Sequence, residues 1–303
     1  MVKTLTPKLR SLWLSMKFTR NWHDIALLYI GIKKKADFKF RNTPYILSEV
    51  TRDYIALPLY FSKVLAQGRL YFENSNIVLK FRDLTFSLYN PKIDIPYIYS
   101  VFVDGEYNKF SFKDKVVLDI GAYIGDTSVF FAVNGARRVL AYEPNPEVFK
   151  KLLQNISLNN MQEKILPFNM AVGREGYINF FLSSYTPGST MFQERFYLKK
   201  KETISKQIKV RSVSIATILN EISSVDILKM DCEGCEFVIL QDLVDKGLGE
   251  KIREGIIFEA HVFDSRLSTI EHAISLVKAL NFKRIFVRKV SDITSFIWAY
   301  RHG

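Results

Sequence analysis

The 303-residue sequence has little of what marks several protein classes. Its two cysteines, Cys232 and Cys235, are too few for the disulfide framework of a small secreted domain. Its longest apolar run, residues 25–32, is far shorter than the roughly 20 residues that a membrane-spanning helix needs. The basic, amphipathic N-terminus has no apolar centre followed by a cleavage site, so it does not resemble a secretory signal. These absences predict a cytoplasmic protein with no transmembrane segment.

What is present is a globular composition with an excess of positive charge. Hydrophobic residues make up 48% of the chain and charged residues 24%, which allows a sizeable core. The net charge is +12, and it concentrates in residues 1–40 and 195–211. Such zones attract anions such as nucleic acid, acidic lipid headgroups or phosphorylated sugars. Binding to acidic lipid would make the protein peripheral at a membrane surface. A solvated basic surface is the alternative.

The chain divides into two regions with different sequence patterns. Residues 1–110 predict a smaller N-terminal α+β module, with a helix over about residues 20–34 and short extended runs. Residues 111–303 alternate apolar strands with amphipathic helices, which is typical of a doubly wound α/β sheet. The strand count is about seven, with a closing antiparallel pair.

The stretch "VVLDIGAYIGDTSVFFA" predicts a ligand-binding turn. A strand ends at Asp119, and Gly121 and Gly125 lead the chain through a tight turn into a helix, where open α/β sheets bind ligands. The next strand ends at Glu143, whose carboxylate can accept hydrogen bonds from ribose hydroxyls. Both features fit an adenosine-type ligand.

The residue between the glycines separates two classes of cofactor. Dinucleotide enzymes use G-x-G-x-x-G, because the second glycine lets the backbone approach a pyrophosphate. Tyr123 occupies that position here. S-adenosylmethionine (SAM) has no phosphate, and acidic residues such as Asp119 and Asp126 suit its amino-acid end and sulfonium. SAM is therefore favoured over a nicotinamide or flavin cofactor, and a turn that serves only packing is the third interpretation.

Five segments in this order resemble the FkbM-type family of SAM-dependent methyltransferases: "VVLDIGAYIGDTSVFFA", "AYEPNPEVFKKLLQNISLNN", "FNMAVG", "VDILKMDCEGCEFVIL" and "IIFEAH". The resemblance runs from about Lys115 to Phe286. It implies a Rossmann-like, seven-stranded class I methyltransferase sheet with helices on both faces. For function it implies O-methylation of hydroxyls on sugars, polyketides and other small or lipid-linked acceptors.

The resemblance also implies roles for individual residues. Asp119, Gly121 and Gly125 would line the methionine end of SAM, and Glu143 would hold its ribose. Asn169, Met170 and Ala171 would end the third strand, where the family places the adenine ring. The predicted cofactor-binding residues are Asp119, Gly121, Ala122, Tyr123, Gly125, Asp126, Thr127, Glu143, Pro144, Asn145, Asn169, Met170, Ala171 and Asp231.

Methyl transfer to a hydroxyl needs a group that removes the proton. "DCEG" and "EAH" follow neighbouring strands, so Asp231, Glu233, Glu259 and His261 should converge beside the transferable methyl. His261 is the preferred base, because an imidazole takes up a proton near neutral pH. Asp231 is the alternative base. Asp231, Glu259 and His261, with Glu233, also suit a divalent cation such as Mg²⁺, Mn²⁺ or Fe²⁺.

The polar insert over residues 184–209 predicts either a lid over the acceptor site or an ordinary exposed loop. Its aromatic residues Phe192, Phe196 and Tyr197 favour an acceptor platform. The cysteines of "CEGC" are interpreted as small residues that flank a required turn: no second pair completes a zinc site, and the motif lies at a strand end rather than before a helix as in thioredoxin-like units.

The leading functional prediction is a SAM-dependent O-methyltransferase of a sugar, glycan, lipid-linked or other small-molecule acceptor. The alternative is a nucleic-acid-binding protein or RNA methyltransferase that uses the basic zones, although no "NPPY"-like turn follows the fourth strand. A methyltransferase fold that binds SAM without catalysis is the third possibility.

Overall fold

The computed structural model describes residues 12–13, 16–54, 56–74, 76–183, 188–193, 203–262 and 268–301. The chain forms two compact units, Met1–Lys109 and Phe110–Gly303. In the described ranges no helix is both long and apolar enough to cross a bilayer.

The first unit contains two small antiparallel sheets. Its elements are α1 (Trp22–Ile30), β1 (Lys35–Lys39), β2 (Ile46–Thr51), α2 (Leu57–Leu65), β3 (Gly68–Glu73), β4 (Asn76–Phe81), β5 (Leu84–Leu88) and α3 (Pro91–Tyr99). Strand β1 pairs with β2, and β3, β4 and β5 form a three-stranded meander. Helix α1 ends earlier than predicted, because Gly31 takes a left-handed φ of 88° and caps it. Phe40 and Phe61 stack in the core of this unit at 5.2 Å.

The second unit is built on a seven-stranded sheet. Its helices are α4 (Asp126–Val133), α5 (Pro146–Leu158), α6 (Ile215–Ile222), α7 (Cys235–Asp245) and α8 (Ile270–Ala279). The strands of its main sheet are β6 (Val116–Ile120), β7 (Arg138–Tyr142), β8 (Ile165–Phe168), β12 (Val225–Met230), β13 (Ile252–His261), β14 (Arg284–Lys289) and β15 (Thr294–Tyr300). Between β8 and β12 come β9 (Ala171–Val172), β10 (Gly176–Ser183) and β11 (Ile204–Val213).

The strand order of the main sheet is β14-β15-β13-β12-β6-β7-β8, and β15 runs antiparallel to both of its neighbours. Every residue of β12 is buried, because helices cover both faces of a doubly wound sheet. The carboxyl ends of β6, β7, β12 and β13 meet at one edge, as parallel pairing requires. This is the class I methyltransferase fold that the sequence predicted, with the closing antiparallel pair.

One strand boundary was predicted wrongly. The third strand ends at Phe168, so Asn169 and Met170 lie beyond it, and Ala171 begins β9 in a separate sheet. The pairing of β8 with β7 stops at Phe168 and Tyr142, and the chain leaves the main sheet there. The separate sheet has the order β10-β11-β9, and its strand β11 begins within the predicted polar insert.

Candidate active site

A tight turn joins β6 to α4 at the carboxyl edge of the sheet. The N–H groups of Gly121 and Ala122 both donate to the carbonyl of the last residue of β7, at 3.0 Å each. Gly121, Tyr123 and Gly125 take positive φ values of 76°, 51° and 89°. A Cβ on Gly121 would collide with the carbonyl oxygen of Asp231. Glycine is therefore required at the first of these positions.

Glu143 lies against this turn at the end of β7. Its carboxylate accepts hydrogen bonds from the N–H groups of Tyr123 at 3.1 Å and Asn145 at 2.8 Å. The side-chain amide of Asn169 donates to the carbonyls of Glu143 and Pro144, at 2.8 and 3.2 Å. Burial raises the pKa of Glu143 to about 7, although the two N–H donors oppose the rise. Predicted cofactor residues from three segments thus meet at Glu143, whose carboxyl group has a pKa near neutral pH.

Asp119 lies beneath the turn and is fully buried. One carboxylate oxygen accepts hydrogen bonds from the hydroxyls of Thr127 at 2.8 Å and Ser128 at 2.6 Å. The other lies 2.9 Å from Nζ of Lys229, which also donates to the carbonyl of Gly121 at 2.7 Å. The carboxylate is therefore engaged within the protein and ties the turn to α4 and β12.

Lys229 was missed by sequence reasoning, because a lysine in an apolar strand pattern is usually exposed. It is 1% exposed here. Burial lowers the pKa of Lys229, but the charges of Asp119, Asp231 and Asp126 and the hydrogen bond to Asp119 together more than offset this effect, and the pKa ends above its usual value. Burial also raises the pKa of Asp126, the first residue of α4, to about 7, and the Lys229 ammonium opposes this rise. A charged lysine and two buried carboxyl groups thus lie beneath the turn.

A second group of side chains surrounds His261 at the end of β13. Its Nε2 atom lies 3.6 Å from a carboxylate oxygen of Glu259, 3.7 Å from one of Glu233 and 3.8 Å from one of Asp231. His261 is 3% exposed. The structure therefore brings together all four residues that the sequence predicted for acid–base chemistry, with three carboxylates facing one imidazole nitrogen.

The other imidazole nitrogen is held by Glu236. Nδ1 of His261 lies 3.1 Å from Oε1 of Glu236, which is fully buried. Burial would raise the pKa of Glu236, but His261 and backbone N–H donors bring it below its usual range, so the carboxylate is ionised. An ionised carboxylate only accepts hydrogen bonds, which places a proton on Nδ1. Sequence reasoning missed Glu236; the third carboxylate of "DCEGCE" was the available signal.

Residues 231–236 form a compact segment that we call the acidic turn. Glu233 and Gly234 take positive φ values of 58° and 116°. The N–H groups of Cys232 and Gly234 donate to the two oxygens of Glu236, at 2.8 Å each. The hydroxyl of Thr190 donates to the carbonyl of Glu233 at 2.6 Å. Hydrogen bonds within the turn, and one from Thr190 between β10 and β11, therefore stabilise its conformation.

The cysteines of the acidic turn are bonded to each other. Cys232 and Cys235 form a disulfide with a Cα–Cα separation of 5.5 Å. Two sequence expectations are corrected: the cysteines are paired, and the motif does open a helix. Gly234 caps α7 in a left-handed conformation, so the helix begins at Cys235, immediately after the strand end.

A divalent cation has a possible ligand set at this site. Among the described residues, Asp231, Glu236 and His261 each offer a ligand atom, and these atoms lie within 4.8 Å of one another. The set predicted from the sequence contained Glu259 in place of Glu236. Carboxylate oxygens with one imidazole nitrogen suit Mg²⁺ or Mn²⁺.

Part of the predicted acceptor platform lies outside the described residues. Phe192 is described, and its N–H donates to the hydroxyl of Thr190 at 3.1 Å. Phe196 and Tyr197 fall in the undescribed range, as do parts of both basic zones. In the described part of the second zone, Lys206, Lys209 and Arg211 of β11 are exposed.

Several known proteins are similar to this chain. A family model described as the methyltransferase FkbM domain matches residues 119–284. "Methyltransferase 1" of Beauveria bassiana is 28% identical over 186 residues, covering 53% of this chain and 73% of that protein. The tRNA(Phe) (4-demethylwyosine(37)-C(7)) aminocarboxypropyltransferase of Pyrococcus horikoshii is 39% identical over 62 residues, and that match spans 20% of this chain and only 22% of the Pyrococcus protein. The crystal structure of M. jannaschii TYW2 in complex with AdoMet is 15% identical with a TM-score of 0.39, covering 77% of this chain and 85% of that one.

Proposed function

The chain belongs to the FkbM methyltransferase family, and we propose that this SAM-dependent methyltransferase transfers its methyl group to a hydroxyl oxygen. The proposed acceptor is a sugar, glycan, lipid-linked molecule or other hydroxylated small molecule. The observation that supports oxygen as the acceptor atom is His261, whose Nε2 faces Asp231, Glu233 and Glu259 while Nδ1 is held by Glu236.

The residues of the first site fit SAM. Glu143 sits at a strand end beside the glycine turn, where its carboxylate can accept hydrogen bonds from ribose hydroxyls. The side chain of Tyr123 stands where a dinucleotide site needs a bare backbone, so a pyrophosphate is disfavoured. We assign Asn145, Asn169 and Met170 to the adenosine side of the site. SAM supplies an electrophilic methyl group on a sulfonium, and direct displacement needs no covalent enzyme intermediate.

Asp119 and Lys229 support this site from beneath in our proposal. The carboxylate of Asp119 is fully buried and engaged by two hydroxyls and an ammonium, so we assign it to holding the turn rather than to contacting SAM. Lys229 fixes the carbonyl of Gly121 and compensates the buried negative charge. Asp126 remains the acidic neighbour that we assign to the amino-acid end of the cofactor.

The acid–base step follows from the tautomer of His261. Because Nδ1 donates to Glu236, the lone pair of Nε2 is available to accept the proton of the acceptor hydroxyl. The imidazolium that forms is stabilised by Glu236 on one side and by the carboxylates of Asp231 and Glu259 on the other. Asp231 and Glu233 are also placed to accept hydrogen bonds from neighbouring hydroxyls of a polyhydroxylated acceptor and so to orient it.

A divalent cation is the alternative means of activating the hydroxyl, with Asp231, Glu259 or Glu236, and His261 as ligands. Dialysis against a chelator separates the two mechanisms. Unchanged turnover favours the imidazole base, whereas loss of turnover that Mg²⁺ or Mn²⁺ restores favours the cation.

RNA methylation or nucleic-acid binding is the second candidate function, and it is supported by the exposed basic residues of β11 and by the short match to a tRNA-modifying enzyme. It predicts an affinity for RNA that falls steeply with salt, in proportion to the phosphates contacted. Fluorescence anisotropy with a labelled tRNA at two salt concentrations tests it. Absent or salt-independent binding would exclude this candidate.

The decisive experiment compares glycans and lipids from cells with and without the gene by mass spectrometry. Loss of a methyl ether that the wild-type gene restores, and that a His261→Asn variant does not, supports the proposal. A methyl group lost from nitrogen or carbon would contradict oxygen as the acceptor atom. Restoration by the variant would contradict the role of His261.

A further inference from the structure

Two cysteines take no part in the proposed transfer, yet they lie between the side chains that do. Cys232 directly follows Asp231, and Cys235 directly precedes Glu236. Their Cα atoms are 5.5 Å apart, the separation typical of disulfides, and their sulfur atoms are bonded. They are the two cysteines of the entire sequence, so no other thiol of the chain competes for either partner.

The disulfide constrains the same backbone that Glu236 holds by hydrogen bonds. The ring that it closes contains Glu233 and Gly234, both with positive φ. A non-glycine residue rarely adopts this conformation in a free chain. The N–H groups of Cys232 and Gly234 bond to Glu236, so the covalent link and the carboxylate stabilise one shared conformation.

The two cysteines differ in exposure, which decides where thiol–disulfide exchange can begin. Cys232 is half-buried, whereas Cys235 is 1% exposed. We therefore expect a reductant to attack at the more exposed Cys232, and attack there makes Cys235 the leaving group.

We propose that Cys232 and Cys235 form a reversible oxidation site, which takes a dithiol as its reductant and whose disulfide keeps Asp231 and Glu233 in place against His261. The reductant thiolate bonds to the sulfur of Cys232, the Cys232–Cys235 bond breaks, and its electron pair leaves on Cys235. The second thiol of the reductant then displaces Cys232, and the reductant departs as its own disulfide. Two electrons and two protons pass to the protein, giving two thiols.

Reduction leaves the acidic turn held by noncovalent bonds alone. Closing a four-residue ring removes chain entropy that corresponds to about a twentyfold change in the equilibrium between open and closed turn. The reduced protein should therefore open this turn about twentyfold more often. The effect on methyl transfer rests on the proposed function; the redox step itself does not.

The test uses the full-length protein in two steps. Maleimide labelling of air-oxidised native protein, followed by mass spectrometry, should find no free thiol, and labelling after treatment with dithiothreitol should find two. Hydrogen exchange of the peptide over residues 228–237 should then be about twentyfold faster in the reduced protein. The peptide over residues 146–158, which has no cysteine, is the internal control and should not change.

A double variant, Cys232→Ser with Cys235→Ser, should exchange at the reduced rate with or without dithiothreitol. Free thiols in the oxidised protein, a disulfide that is reduced only after denaturation, or equal exchange in both states would each overturn the proposal. Wild-type protein supplies every one of these readouts, so they stand even where the variant does not fold. If SAM binds in neither state by calorimetry while the exchange rates differ, the proposed function fails and the oxidation site stands.

Discussion

SAM affinity should depend on pH through Glu143. The pKa of this carboxyl is raised to about 7, so the group is about 9% ionised at pH 6 and about 91% ionised at pH 8. The ionised form accepts more hydrogen bonds from ribose hydroxyls than the protonated form. Because affinity follows the ionised fraction, Glu143 alone should raise the association constant about tenfold from pH 6 to pH 8.

Isothermal titration calorimetry at pH 6, 7 and 8, in two buffers of different ionisation enthalpy, measures both the affinity and the proton released on binding. Glu143→Gln should bind SAM more weakly and should lose the Glu143 part of the pH dependence, so that only the part due to Asp126 remains. Asp126→Asn is the matched control: it removes the other buried carboxyl with a pKa of about 7 and should leave the Glu143 dependence in place. A wild-type affinity that is constant from pH 6 to pH 8, with no proton released, would refute this assignment.

The same group links folding to pH in the absence of cofactor. Folding raises the pKa of Glu143 from 4.5 to about 7, so the folded protein holds this proton more tightly than the unfolded chain. The stabilising contribution is full below pH 4.5 and is lost as the pH rises through about 7. The difference in unfolding free energy between wild type and Glu143→Gln should therefore change by about 3 kcal/mol across this interval, as measured by urea titration at each pH. If the difference in unfolding free energy did not change with pH, burial would not raise the pKa of Glu143.

Three further predictions concern the two sites. His261→Asn should slow methyl transfer at least about 100-fold while sparing SAM affinity, measured as S-adenosylhomocysteine released in single-turnover reactions with the native acceptor. Lys229→Met should lower the unfolding free energy, measured in urea, by about 3–5 kcal/mol, because the carboxylate of Asp119 stays buried without its partner. Adding Asp119→Asn should recover part of this loss. If the effects of the two substitutions on the unfolding free energy simply add, the pairing is contradicted. Gly121→Ala should abolish SAM binding. Gly247→Ala is the control: Gly247 also has a positive φ, of 63°, but no atom lies within 4 Å of the added carbon. This variant should lose only about 1 kcal/mol of unfolding free energy and should bind SAM normally.

The sequence predicted the sites where local rules apply. Gly121 and Gly125 mark a strand–turn–helix unit, and the carboxyl ends of parallel strands meet at one edge, so His261 and its three facing carboxylates were expected together. Glu236 was visible as the third carboxylate of "DCEGCE", but its pairing with His261, like that of Lys229 with Asp119, depends on tertiary packing and was not predicted. A buried ion pair has no local signature.

Two other features depended on backbone geometry that sequence patterns do not encode. The apolar run through Met170 looked continuous, but the ladder with β7 stops at Phe168 and the chain then joins a different sheet. The pairing of Cys232 with Cys235 depends on positive φ at Glu233 and Gly234, which brings the flanking sulfurs together. A non-glycine residue in this conformation is uncommon enough that the sequence does not predict it.

The contact between the glycine turn and the acidic turn has a consequence for changing what this enzyme modifies. Gly121 faces the carbonyl of Asp231 with no room for a methyl group, and the N–H of Asp231 donates to the carbonyl of Ile120 at 3.0 Å. In the proposed site, main-chain contacts between adjacent strands, which lie roughly 4.8 Å apart in any sheet, fix the SAM side relative to the acceptor side. Side-chain exchange cannot alter that spacing. An engineer who replaces the segment between β10 and β11 to admit a new acceptor can therefore leave the reach of the transferred methyl group untouched.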